Sequence, residues 1–186
     1  VGAPGRAAVT TVGADVATAD PLAAAPEAAE LVATLTRIGQ TVATAESLTA
    51  GLLAATIAGV PGASVVLRGG VIVYATDLKH RLAGVSEDTL AADGPVAAAT
   101  AEQLAVGART VCEADWGIGL TGVAGPDPQN GCPVGTVFLG LSGPGGTEVM
   151  RLQLAGDRWT IRMSAVRTAV AELVRRVGGG DRTGTG

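Results

Sequence analysis

Thr41-Val42-Ala43-Thr44-Ala45-Glu46-Ser47-Leu48-Thr49-Ala50-Gly51 begins with a β-prone run, Thr41 to Ala45, and turns at Glu46-Ser47 into an apolar helix expected over Thr49 to Ala58. A strand that runs straight into a helix is the repeating unit of α/β folds. Working outward, Ala28, Leu31, Val32, Leu35 and Ile38 recur at helical spacing before this stretch, which predicts a helix from about Pro26 to Ile38. After it, a strand is expected over Val65 to Tyr74, with a bulge or close approach at Gly69-Gly70. The Ala-rich segment from Pro95 to Cys112 reads as helix, with Pro95 suited to a first turn. Trp116 to Thr121 reads as a buried strand, and Gly122 to Gly135 as a long Gly/Pro loop of functional length. Two further strands, Gly135 to Leu141 and Thr147 to Leu154, are joined by Ser142-Gly143-Pro144-Gly145-Gly146, which suits a hairpin. Trp159, Met163, Val166, Val170, Leu173 and Val177 then mark a last helix that Asp157 can cap. Helices interleaved with strands and one late hairpin imply an α/β fold, a three-layer α/β/α sandwich around a mixed, mostly parallel sheet.

With 186 residues, 47% of them hydrophobic, the chain fits one domain with a real core, expected over residues 26–177. Residues 1–25 and 178–186 are expected to be a disordered leader and tail. Aromatic residues make up only 2%, so base-stacking platforms lack material, and a net charge of −4 removes the footprint expected for nucleic acid or an anionic membrane. The uncharged run Thr49 to Leu67 is split by Gly59-Val60-Pro61-Gly62 and reads as a buried helix and a turn, not a membrane span. The first 25 residues lack the continuous apolar core of a signal peptide, which makes a cytoplasmic location the expectation. Cys112 and Cys132 fit no metal spacing, and no metal is expected.

Twelve of the thirteen basic side chains are arginine; the one lysine, Lys79, stands beside the one histidine, His80, and five residues after the one tyrosine, Tyr74. Arginine cannot give up its proton in a protein, whereas lysine can, so Lys79 reads either as a place where arginine will not serve or as the chance position of a lone lysine. Tyr and Lys both move protons near neutral pH once their surroundings shift them.

Three places suggest chemistry. In Ala45-Glu46-Ser47-Leu48-Thr49-Ala50-Gly51 a serine at the strand-to-helix junction sits where N–H groups can stabilise an anion or oxyanion, as in a nucleophile elbow. The simpler reading makes Ser47 or Thr49 an ordinary N-cap. Thr121-Gly122-Val123-Ala124-Gly125-Pro126 follows a buried strand, and its small residues let backbone approach a ligand, without the spelling of a P-loop or a dinucleotide fingerprint. Arg158 and Arg162 stand in the first turns of the last helix, where cations are disfavoured by about 0.3 to 1 kcal/mol; Asp157, Glu172, a substrate phosphate or plain solvent could offset that. Nothing places His80 near Ser47 for a triad, and Cys132 has no second histidine to activate it.

Taken in order, Ala45 to Gly51, Val60-Pro61-Gly62-Ala63-Ser64, Gly69-Gly70-Val71-Ile72-Val73-Tyr74 with Lys79, Thr121 to Pro126, Val134-Gly135-Thr136-Val137 and Gly156-Asp157-Arg158 with Arg162 resemble the CinA C-terminal domain family over about residues 27–177. The resemblance implies a nicotinamide-nucleotide amidase, which converts nicotinamide mononucleotide to nicotinate mononucleotide and ammonia in pyridine-nucleotide recycling, without a cofactor. It places Ser47 on the nucleophile and Tyr74 and Lys79 on its proton-handling partners. Neutral Lys79 would take the Ser47 proton, and N–H groups around Thr49, Ala50 and Gly51 would form the oxyanion hole. Gly70, Thr121, Gly122, Ala124 and Gly125 would line the substrate site, and Arg162 would meet the phosphate.

This chain departs from the family's pattern at several points. The family often writes Ala-Glu-Ser-Cys-Thr-Gly-Gly, where Leu48 and Ala50 stand here, so the Ala50 methyl is expected to crowd the pocket. Arg68 replaces a more usual apolar residue, and Ala97 follows Val96 where a serine is often found, with loss of any helix cap that it supplied. Many members carry a further N-terminal domain that resembles molybdopterin-binding proteins; this chain is expected to be a stand-alone, self-associating amidase that binds a small nucleotide. Ala50 and Arg68 motivate an alternative, a nucleotide-binding regulatory module with little turnover, and a serine amidase for another carboxamide is a third reading.

Overall fold

In a computed structural model, which describes residues 26–179, five strands and six helices form the expected α/β architecture. The strands are β1 (Val42–Glu46), β2 (Leu67–Ile72), β3 (Trp116–Gly122), β4 (Thr136–Gly143) and β5 (Gly146–Gln153). The helices are α1 (Pro26–Ile38), α2 (Leu52–Ala58), α3 (Thr76–Ala83), α4 (Glu87–Ala92), α5 (Ala98–Val111) and α6 (Arg158–Gly179). The sheet order is β2-β1-β3-β4-β5, in which β2 and β3 pair parallel to β1 while β4 runs antiparallel to β3 and β5 antiparallel to β4. Only β4 is therefore reversed, a mixed sheet whose strands mostly point one way. Residues 1–25 and 180–186, for which disorder is expected, lie outside the described residues; α6 runs to Gly179, past the start expected for the tail.

The two faces of the sheet are built differently. On one, Ile118, Leu120, Val137, Leu139 and Leu141 pack with α1, α2 and α6 through Leu31, Leu35, Leu53, Ile57, Ile161, Val166 and Leu173. On the other, α5 lies so close that a Cβ at Gly119 would stand 2.5 Å from the Ala101 carbonyl oxygen and one at Gly140 2.2 Å from it. Glycine in the strands and alanine in the helix are thus what allow backbone to pack on backbone, in a core with almost no aromatic residues.

Several local expectations appear at their residues. The expected bulge is displaced: the register of β1 on β2 slips between Val42 and Ala43, which pair with Leu67 and Gly69, so the bulge falls at Arg68, one residue before Gly69-Gly70, while the close approach is at Gly70. β4 and β5 close a hairpin in which Gly143 faces Gly146. Asp157 caps α6, its carboxylate accepting from the Thr160 N–H at 2.7 Å, which holds its carboxyl below the usual carboxylate range. Helix α2 starts later than expected, because residues 47–51 form a turn with Ala50 and Gly51 at φ of 50° and 95°. Helices α3 and α4, eight and six residues long, are too short to carry a legible apolar stripe. Among the described residues no helix is long and apolar enough to cross a membrane.

Candidate active site

The carboxyl end of β1 delivers Ser47 between its two neighbours. The Ser47 N–H donates to the Leu120 carbonyl of β3 at 2.9 Å, and the Val73 N–H just past β2 donates to the Glu46 carbonyl at 2.8 Å. Ligands in open α/β sheets gather outside this end of the strands. A cavity of about 120 Å³ opens there, roughly four times the volume that one water occupies in the liquid. Its lining includes Ser47, Tyr74, Lys79, Thr121 and Arg158.

Lys79 lies on α3 and is 2% exposed, one of the largest fully buried side chains. Its Nζ stands 3.0 Å from Ser47 Oγ, 2.8 Å from the Val73 carbonyl and 3.5 Å from the Tyr74 carbonyl. Among the described residues it meets no carboxylate, and burial pulls its pKa from 10.5 down to about 8. As an ammonium, Lys79 donates to the Ser47 hydroxyl and the two carbonyls; loss of one proton frees a lone pair for the Ser47 hydroxyl, and the lowered pKa brings that basic form closer to neutral pH.

Glu46, which the sequence reading assigned no task, organises the Ser47 turn. Its carboxylate is 1% exposed and accepts from the N–H groups of Gly51 at 2.9 Å, Leu53 at 3.1 Å and Ala54 at 2.8 Å, and from the Thr44 hydroxyl at 3.1 Å. Four donors meet the four acceptor sites of a carboxylate. Glu46 therefore caps α2 from five residues upstream, and neither Ser47 nor Thr49 is the N-cap. Its position within the Ala-Glu-Ser run was the available signal.

The expected oxyanion donors need correcting for the same reason. The Gly51 N–H is taken by Glu46, and the Ala50 N–H donates to the Ser47 carbonyl at 3.1 Å. Thr49 is fully buried, its hydroxyl without a partner among the described residues, and it is absent from the cavity lining. Among the cavity-lining residues, Leu48, Ala124 and Gly125, like Tyr74, Val96 and Asp127, have N–H groups that meet no acceptor among the described residues.

The two arginines of α6 are placed differently from expectation. Arg162, expected at the phosphate, does not line the cavity; its Nε donates to the Leu48 carbonyl at 2.9 Å and a terminal nitrogen to the Thr49 carbonyl at 3.0 Å. Arg158, one turn earlier, lines the cavity and donates to the Gly125 carbonyl at 2.7 Å and the Tyr74 hydroxyl at 2.8 Å. The docking of α6 decides this, since both positions lie on one face of the helix. Tyr74 is 56% exposed, and its phenol is engaged by Arg158 while its backbone carbonyl faces Lys79. Expected as a proton partner of Ser47, the phenol makes no hydrogen bond to Ser47 or Lys79.

Of the remaining expected residues, Thr121, Gly122, Ala124 and Gly125 line the cavity, and Thr121 is locked by donating to the Pro95 carbonyl at 2.6 Å. Gly70 does not line it; a Cβ there would stand 2.3 Å from Thr44 Oγ1, so Gly70 makes room for a hydroxyl that supports Glu46. Asp127 and Gln129 at the rim, missed from sequence, come from the long loop after β3. Ala50 and Arg68 are also absent from the lining, and Arg68 instead donates to the Cys112 carbonyl at 3.0 Å. The Ala50 methyl therefore does not crowd the cavity. His80 is exposed, its Nδ1 2.8 Å from the Val85 carbonyl. Cys112 and Cys132 are free thiols, and no three His, Cys, Asp or Glu side chains gather for a metal among the described residues.

The CinA C-terminal domain profile matches residues 24–177. A CinA-like protein of Frankia casuarinae is 49% identical over 127 residues, 68% of this chain and 29% of the relative. A putative competence-damage inducible protein of Geobacillus is 45% identical over 128 residues, 68% of this chain and 31% of that one. The chain thus spans about three-tenths of the length of these curated relatives. Among solved structures, a competence/damage inducible protein of Agrobacterium tumefaciens superposes with a TM-score of 0.78 at 33% identity, over 82% of this chain and 94% of the other. A CinA superfamily protein of Klebsiella pneumoniae gives 0.80 at 29% identity, over 83% and 97%. On the profile match and these identities, with the sheet order and the Ser47 turn beneath them, the chain belongs to the CinA C-terminal domain family.

Proposed function

We propose that this domain is a serine amidase that releases ammonia from the carboxamide of nicotinamide mononucleotide. The observation that carries the reading is Lys79 Nζ at 3.0 Å from Ser47 Oγ, buried, with no carboxylate partner among the described residues. Neutral Lys79 takes the hydroxyl proton as Ser47 Oγ attacks the carboxamide carbon, and the N–H of Leu48, with those of Ala124 and Gly125, receives the developing oxyanion. Lys79 then returns the proton to the amide nitrogen, and ammonia leaves. Water, deprotonated by the same amine, cleaves the acyl-enzyme to the carboxylate.

The small cavity suits a ring with its carboxamide, and the rim suits the rest of a nucleotide. Arg158, donating to Tyr74 and Gly125 at the mouth, is the cation suited to the phosphate. The regulatory-module alternative was motivated by Ala50 and Arg68, and neither touches the cavity. The test is ammonia release from nicotinamide mononucleotide by the purified chain and by Ser47→Ala. Loss in the variant is expected; undiminished release would overturn the mechanism, and cleavage of a different carboxamide alone would overturn the substrate.

A further inference from the structure

We propose that Arg162 is a positioning residue, which holds the Ser47 turn in its reactive geometry from the side away from the cavity. The turn at residues 47–51 belongs to no helix or strand, so few bonds fix it. Glu46 collects the N–H groups of Gly51, Leu53 and Ala54. Arg162 collects the carbonyls of Leu48 and Thr49 at 2.9 and 3.0 Å, across 114 and 113 residues of chain. One acid and one base thus grip opposite poles of successive peptide groups, and the planar guanidinium fixes the orientation of two carbonyls at once. The guanidinium carbon also lies 6.0 Å from the centroid of the exposed Trp159 ring, at the outer reach of a cation–π contact.

The turn needs this grip because Ala50 holds a left-handed φ of 50° that an L-residue with a Cβ resists. Without Arg162 the Leu48 and Thr49 carbonyls lose both charge-assisted partners. The Leu48–Thr49 and Thr49–Ala50 peptides, which follow Ser47 and the Leu48 N–H, then keep only the bonds from the Ala50 N–H to the Ser47 carbonyl and from the Leu52 N–H to the Thr49 carbonyl, and the turn is held less firmly. Misplacement of a nucleophile by about 1 Å costs on the order of a hundredfold in rate. Because Arg162 does not line the cavity, its loss acts on the chemical step and leaves substrate affinity in place.

This role rests on Ser47 being a nucleophile, and not on which amide it cleaves, so it is tested with a probe that has no nucleotide. Phenylmethanesulfonyl fluoride forms an Oγ–S bond to Ser47 and expels fluoride, while the hydroxyl proton passes to Lys79. Adduct formation is followed by intact mass for wild type, Arg162→Gln, Arg162→Lys and the distant control Arg68→Gln, with thermal unfolding measured on each. We expect about 10- to 100-fold slower labelling in Arg162→Gln, an intermediate rate in Arg162→Lys, which keeps the charge but loses the fork, and the wild-type rate in Arg68→Gln. With nicotinamide mononucleotide, kcat should fall and KM should hold in both Arg162 variants. Equal labelling of wild type and folded Arg162 variants, or a raised KM with kcat intact, would overturn the positioning role alone. No labelling of Ser47 in wild type would overturn the nucleophile reading and the positioning role together.

Discussion

Lys79 reaches Ser47 across a hydrogen-bond distance of 3.0 Å, from a helix that begins only after the neighbouring strand has ended. The lysine meets backbone carbonyls and a hydroxyl, so its lowered pKa comes from burial alone. That fixes the sign of its pH dependence. The amine is a base only when neutral, so kcat/KM should climb about tenfold per pH unit below pH 8 and level off above it. A pH–rate profile that is flat between pH 6 and 8 would count against Lys79 as the base.

Stability carries the same signature with its own window. Unfolded Lys79 keeps its proton up to pH 10.5, while the native side chain releases it from about 8. Between those values the unfolded chain binds more protons, so this group makes stability rise with pH there, and below pH 8 its burial cost is fully present. Lys79→Met should abolish that rise in a urea-denaturation series. Lys79→Arg should be as inactive as Lys79→Met, because it restores charge without a base.

Arg158→Met should raise KM for nicotinamide mononucleotide about 10- to 100-fold, the equivalent of one lost charge-assisted pairing. Inorganic phosphate should inhibit the wild type competitively and the variant much less. An unchanged KM would place the phosphate elsewhere.

Glu46→Gln should destabilise the domain by about 2 kcal/mol or more, because each carboxylate oxygen accepts two of the four donors and the amide NH₂ would face such a pair. Urea midpoints at constant slope measure this. A variant as stable as wild type would show that the cap is dispensable.

Two substitutions should stabilise. Ala50→Gly relieves a left-handed φ of 50° and should gain roughly 0.5 to 1 kcal/mol. Ala97 is the N-cap of α5 in extended geometry with no side-chain bond, so Ala97→Ser should gain about 1 kcal/mol. Thermal midpoints that fail to rise in either variant would refute the corresponding assignment.

The order of the elements was legible because its signals are local. The Leu31-Leu35 stripe of α1, the Pro144-Gly145 turn, the Asp157 cap and the strand that stops at Ser47 each follow from neighbours a few residues apart. Ser47 and Lys79 could be named from their motifs, but their contact could not be derived from spacing. Tertiary structure alone decided that Lys79 faces Ser47, that Arg158 lines the cavity while Arg162 grips the turn behind it, and that Glu46 takes the amides expected to serve an oxyanion. The physical reason is distance along the chain. Periodicity and turn chemistry report which face of an element is buried, whereas a bond spanning 32, 84 or 114 residues depends on how elements dock against a common sheet. One helical turn of α6 separates an arginine that lines the cavity from one that grips the backbone of the Ser47 turn.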